Sequence, residues 1–134
     1  MNKKSIDAFM FDVSVTVTAK KKPVFTYYES GSSKPLSEKE RQVVITGPSV
    51  IFYKLINLEL APKGLRFIGA GFTKPFTQIV ENSYVSENGD TLVLEDLCVD
   101  NGATSFHLLL KTDENNLIMI SPDPEVINKG KHIN

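Results

Sequence analysis

Glu95, Asp96, Asp100 and Asn101 fall close together in one stretch of the chain, and Asp113, Glu114, Asn115 and Asn116 in another. Oxygen donors of this kind, on loops at one end of a β-domain, could converge on Ca²⁺. Their spacing does not match an EF-hand loop, and Asp, Asn and Gly are also the residues that tight turns select on backbone grounds. Both groups are therefore read as turns, with no metal expected. His107 sits in a strand pattern and His132 near the end of the sequence, too little for a metal site. Ser105, His107 and Asp100 supply the residue types of a triad, but local spacing along a strand does not produce triad geometry. No G-x-S-x-G elbow is present. Gly69-Ala70-Gly71 is too short for a dinucleotide fingerprint, and no helix pattern follows it. Cys98 is the only cysteine, so no intrachain disulfide can form; it reads as a small buried apolar group in a strand-like stretch. No catalytic residue and no cofactor are expected.

Two groups could bind a ligand. Tyr27 and Tyr28, beside Phe25, offer an aromatic platform for a sugar or a protein partner. The other is SPDPEVINKG, residues 121–130, the most distinctive stretch of the chain. Pro122 and Pro124 restrict Ser121 and Asp123 to extended conformations. Asp123 then suits an N-cap, Pro124 the first helical position, Glu125 the positive end of a short helical turn, and Gly130 its end. A structural cap is the preferred reading, with a functional carboxylate pair as the alternative. Tyr27, Tyr28, Asp123 and Glu125 are thus the candidate ligand-binding residues.

Asp123-Pro124-Glu125, after a strand near the end of a small all-β chain, resembles the DP-EP family of bacterial proteins, named for an Asp-Pro-Glu-Pro signature. Val126 stands where that signature has its second proline. The resemblance implies a small bacterial protein and carries over no catalytic residue.

The elements that must hold these residues are strands. From Phe9 to Thr18, Phe9, Phe11, Val13, Val15 and Val17 alternate with polar or flexible residues, the period of a strand with one buried face. Lys20 to Lys22 connect it to Val24–Glu29, which suggests an antiparallel hairpin. Residues 30–41 form the longest loop, ending in a Ser37/Glu40 capping box that allows a single helical turn. Gln42–Thr46 is a short strand. Ser49–Leu60 reads as a strand bulged near Lys54, because Val50, Phe52, Ile56, Leu58 and Leu60 alternate while Ile51 and Leu55 spoil the pattern. Pro62-Lys63-Gly64 turns it into a hairpin with Leu65–Ile68, and the following glycines mark a bulge or a corner between sheets. Strands at 77–85, 91–99, 105–112 and 117–120 complete the pattern, with Phe106, Leu108 and Leu110 facing inward.

Eight or nine short strands without a long amphipathic helix predict one all-β domain over residues 1–134. An antiparallel β-sandwich of immunoglobulin-like type is expected, with a β-barrel as the alternative. A chain of 134 residues can bury a core without disulfide or metal staples. The net charge of −1 gives no positive field for nucleic acid or an anionic membrane, and neither partner is expected. Asp7 and Asp12 break the apolar stretch after Lys3 and Lys4, so no signal peptide is expected, and a cytoplasmic location follows from these readings with the lone cysteine. The function expected is that of a non-enzymatic interaction or accessory module, with a protein partner or self-association. A small-ligand or carbohydrate-binding domain using the tyrosines and acidic loops is the alternative.

Overall fold

In the computed structural model of the chain, the described residues are 6–20, 22–73, 79–114, 118–121 and 124–129. The alternation from Phe9 becomes strand β1, Asp7–Val17, with Phe11, Val13 and Val15 in the core. Strand β2, Pro23–Glu29, returns antiparallel beside it, so the expected hairpin forms. The capping box closes as its spacing requires: the Ser37 amide donates to Glu40 Oε1 at 2.9 Å and the Glu40 amide to Ser37 Oγ at 3.2 Å. One turn follows, because β3, Val43–Ile45, begins two residues after Arg41. Then come β4 (Ser49–Ile56), β5 (Arg66–Phe72), β6 (Asn82–Val85), β7 (Thr91–Asp96), β8 (Gly102–Lys111), β9 (Ile118–Ile120) and β10 (Glu125–Asn128).

Two sheets face each other. The first has the order β2-β1-β4-β7-β6, the second β3-β10-β8-β5, with β9 also paired to β8. Neither closes into a barrel. Phe11 stacks on Tyr53 of β4, ring centroids 5.3 Å apart, and Tyr53 meets the edge of Phe106 of β8 at 5.9 Å, which ties the sheets across the core. Both sheets are mixed: β1 runs parallel to β4, and β10 parallel to β3. The expected all-antiparallel arrangement is corrected there, because parallel neighbours distant in sequence leave no local signal.

Other expectations change as well. Strand β4 buries Ser49, Ile51, Tyr53 and Leu55, the face that seemed to spoil the alternation, while Val50, Phe52 and Ile56 face outward. Its register with β7 runs unbroken from Ser49 to Lys54, so there is no bulge at Lys54. The chain instead changes direction at Asn57, at φ 54°, and makes a 3-10 turn over Leu58–Leu60. The Pro62–Gly64 turn forms, with Gly64 at φ 77°, but it carries the chain to the other sheet, where β5 pairs with β8 and not with β4. The bulge lies in β5 between Phe67 and Gly69, as its glycines suggested. Strand β7 ends at Asp96, and Cys98 lies beyond it at φ 59°, half-buried.

The C-terminal segment is a strand, not a capped helical turn. Glu125–Asn128 is β10, inserted between β3 and β8 with Val126 and Asn128 buried. Hydrogen-bonding neighbours on both sides outweigh a local cap signal, and the β-branched pair Val126-Ile127 suits a pleat. Asp123 and Gly130 lie outside the described residues, so the cap itself is not described. Ile120 stands opposite Leu109, but Glu125 stands opposite Ser105, so five steps on one strand match four on the other. This is the count of a one-residue bulge. Val126, the departure from the signature, is paired to both Val43 and Thr104 and fully buried, a position where a proline would lose a ladder bond.

Candidate functional site

Of the four sequence candidates, Tyr27, Tyr28 and Glu125 lie among the described residues. Tyr27 points into the core at 1 % exposure, which corrects its reading as an exposed ring; adjacent residues of a strand face opposite sides, so Tyr27 and Tyr28 cannot form one platform. Burial pushes the Tyr27 phenol up to about 12, against the opposing pull of the Ser121 hydroxyl and the Arg41 charge. The Arg41 guanidinium lies 5.0 Å from the centre of the Tyr27 ring and caps it. Next to it, Gln42 Nε2 donates to Glu125 Oε1 at 3.2 Å. Ser121 is buried; its Oγ accepts from the Leu108 amide at 2.7 Å, and its carbonyl oxygen lies 2.6 Å from His107 Nδ1. The motif's described residues thus join β8, β10 and the capping-box turn by structural bonds. Asp123 lies outside the described residues.

Tyr53 is buried to the same degree as Tyr27, at 1 % exposure. Its hydroxyl has no hydrogen-bond partner among the described residues, and burial with the neighbouring Tyr27 drives its ionisation well above the ordinary tyrosine range. An unpaired buried hydroxyl costs about 1–3 kcal/mol. Tyr53→Phe is therefore expected to stabilise the protein by an amount of this order, read as a higher denaturation midpoint at unchanged slope. A lower midpoint would show that the hydroxyl is engaged.

Among the described residues, no group of three His, Cys, Asp or Glu side chains is placed to hold a metal ion. A shallow, open depression at the β6–β7 turn is lined by Ser86, Glu87, Asn88 and Asp90. Ser86 Oγ bridges Asn88 Oδ1 and Asp90 Oδ1, both at 3.1 Å, the internal bonding of a turn.

The outer face of the first sheet offers a different surface. Register places Met10 beside Phe52, Phe52 beside Val93, and Val93 beside Tyr84, one apolar row across β1, β4, β7 and β6. All four point away from the core: their chain neighbours Phe11, Tyr53, Leu92 and Leu94 are core residues, and Val85 packs against that core. Met10 is 54 % and Tyr84 48 % exposed, whereas Val93 is buried without belonging to the core cluster. The flanking position holds Asp12 and Lys54, register partners on β1 and β4, with Tyr28 opposite Asp12 on β2. Sequence reasoning missed this row because its members lie on four strands. Only Phe52 had been noted, and on a face assumed to continue to Leu60.

A model of the DP-EP family matches residues 10–130 of the chain. No protein of curated function matches it. Among solved structures, the chain is similar to the crystal structure of the inclusion body protein PixA from Burkholderia cenocepacia J2315. The identity is 9 % and the TM-score 0.38, over 95 % of this chain and 96 % of that one.

Proposed function

The chain belongs to the DP-EP family, and from that premise we propose that it is a non-catalytic β-sandwich module that works by association through the outer face of its first sheet. The observation that carries this reading is the row Met10, Phe52, Val93 and Tyr84. Exposed Met10 and Tyr84 flank half-buried Phe52 and buried Val93 in one apolar row bordered by charges, the composition of an interface centre. The occupant that fits is a second copy. A two-fold axis along the strands, between β1 and β4, lays Met10 of one copy on Phe52 of the other and Asp12 on Lys54, each contact occurring twice.

The finer fold reading belongs to the same proposal: face-to-face packing of two five-stranded sheets supports an immunoglobulin-like sandwich. A cytoplasmic location is supported by the lone Cys98, which leaves no intrachain disulfide. No helix among the described residues is long and apolar enough to cross a membrane.

Sedimentation equilibrium tests the association. The wild type is expected to dimerise at micromolar concentration, and Met10→Lys, at an exposed position, to be monomeric with an unchanged melting temperature. Lys54→Asp should weaken the dimer at least tenfold, and the double variant Asp12→Lys/Lys54→Asp should recover most of the loss. A wild type that stays monomeric at 100 times that concentration rules out the second copy as occupant.

A further inference from the structure

At the end of the molecule where β7 stops and β10 stops, three chain segments bring together polar side chains that are almost wholly acceptors. Asp96, at 0 % exposure, uses Oδ1 to accept from the Cys98 amide at 2.8 Å and from Asn128 Nδ2 at 3.1 Å. Glu81, just before β6, uses Oε1 to accept from the Leu97 amide at 2.8 Å. The remaining oxygens, Asp96 Oδ2 and Glu81 Oε2, are buried and have no hydrogen-bond partner among the described residues. Asn128, 2 % exposed, shows the same imbalance. Its Nδ2 faces three acceptors, Asp96 Oδ1, the Ile79 carbonyl at 3.2 Å and the Asp100 carbonyl at 2.9 Å, while its Oδ1 has none.

Each carboxyl group thus has one oxygen satisfied by amide donors and one bare oxygen. A buried cluster short of donors is relieved by a positive species, and the smallest is a proton. We propose that Asp96 and Glu81 form an acid–carboxylate pair, in which a proton from solvent binds Asp96 Oδ2 and is donated to Glu81 Oε2. The pair clasps the end of β10, through Asn128, to the ends of β6 and β7 in the other sheet. This inference is independent of the association surface, which lies on the outer face of the first sheet.

The electrostatics agree. Burial first, and then the Glu81 charge, push Asp96 from 3.8 to about 6, against the opposing Cys98 and Asn128 hydrogen bonds. Among the described residues, the Cys98 thiol, itself pushed up by burial and by both carboxylates, lies beside the pair, and the carbonyls of Ile79 and Asp100 accept from Asn128. On β3, the Ile45 carbonyl lies 3.8 Å from Cys98 Sγ. The folded state binds the proton more tightly than the unfolded chain, so the clasp stabilises fully below about pH 3.8 and is lost as pH rises through about 6.

Carboxyl-carbon NMR of the intact chain tests this directly. Asp96 is expected to titrate with a midpoint near 6, about two pH units above the ordinary value, and Glu81→Gln should lower that midpoint. A midpoint near 4, or one indifferent to Glu81→Gln, overturns the pair. In thermal melts between pH 5 and 8, Asp96→Asn, which supplies an amide donor at all pH values, should remove the wild type's loss of melting temperature with rising pH. Parallel slopes in the two proteins also overturn it. Millimolar Ca²⁺ at pH 7 should leave the wild-type melting temperature unchanged. A rise reversed by chelator would show that these oxygens hold a cation and not a proton.

Discussion

Phe106→Ala is expected to lower the stability of the fold by about 3–5 kcal/mol. Phe106 is fully buried on β8, in ring contact with Tyr53 of the opposite sheet at 5.9 Å and with Phe72 of β5 at 5.6 Å. Its loss opens a cavity where the two sheets meet, and the neighbours that would have to collapse into it, Tyr53, Leu108 and Leu110, are themselves fixed in paired strands. Denaturant unfolding measures the change as a shift of midpoint at constant slope. A shift below 1 kcal/mol would mean that the sheets do not meet at this residue.

Ile51→Ala should cost about 2–5 kcal/mol, because Ile51 is fully buried between Phe9 and Leu94 on neighbouring strands. The adjacent substitution Val50→Ala, on the half-buried outer face, should cost clearly less. The pair of melts decides which face of β4 is the core. Equal costs, or a larger cost at Val50, would reverse the register assigned to the central strand of the first sheet.

These two residues show how legible the fold was. Phe106, Leu108 and Leu110 alternate in a strand with one apolar face, so their burial follows from the period of two. In β4 both faces are apolar, Ile51, Tyr53 and Leu55 on one and Val50, Phe52 and Ile56 on the other. Periodicity cannot say which face turns inward when each has a reason to avoid water. One member of the outer set, Phe52, belongs to the row with Met10, Val93 and Tyr84. Part of what obscured the core is therefore proposed to have a function.

The candidate sites were less legible than the fold. Asp96 was visible only as one member of an acidic turn. Its burial depends on Asn128, 32 residues away, and on Glu81, which no local pattern connects to it. The motif around Asp123, Pro124 and Glu125 identified the family from a few residues, although its described part is a strand and not the expected cap.

The sequence by itself determined what local sterics and solvent contrast control: which segments are extended, the β1–β2 hairpin, the Ser37/Glu40 cap and the inward face of β8. Only the tertiary structure decided which strands are neighbours. The parallel pairs β1–β4 and β3–β10 join residues 42 and about 83 positions apart, and such pairings are selected by the burial of a whole sheet face rather than by any single turn. The apolar row and the Asp96–Glu81 pair exist only once those neighbours are chosen, because both are built from residues that the chain keeps apart.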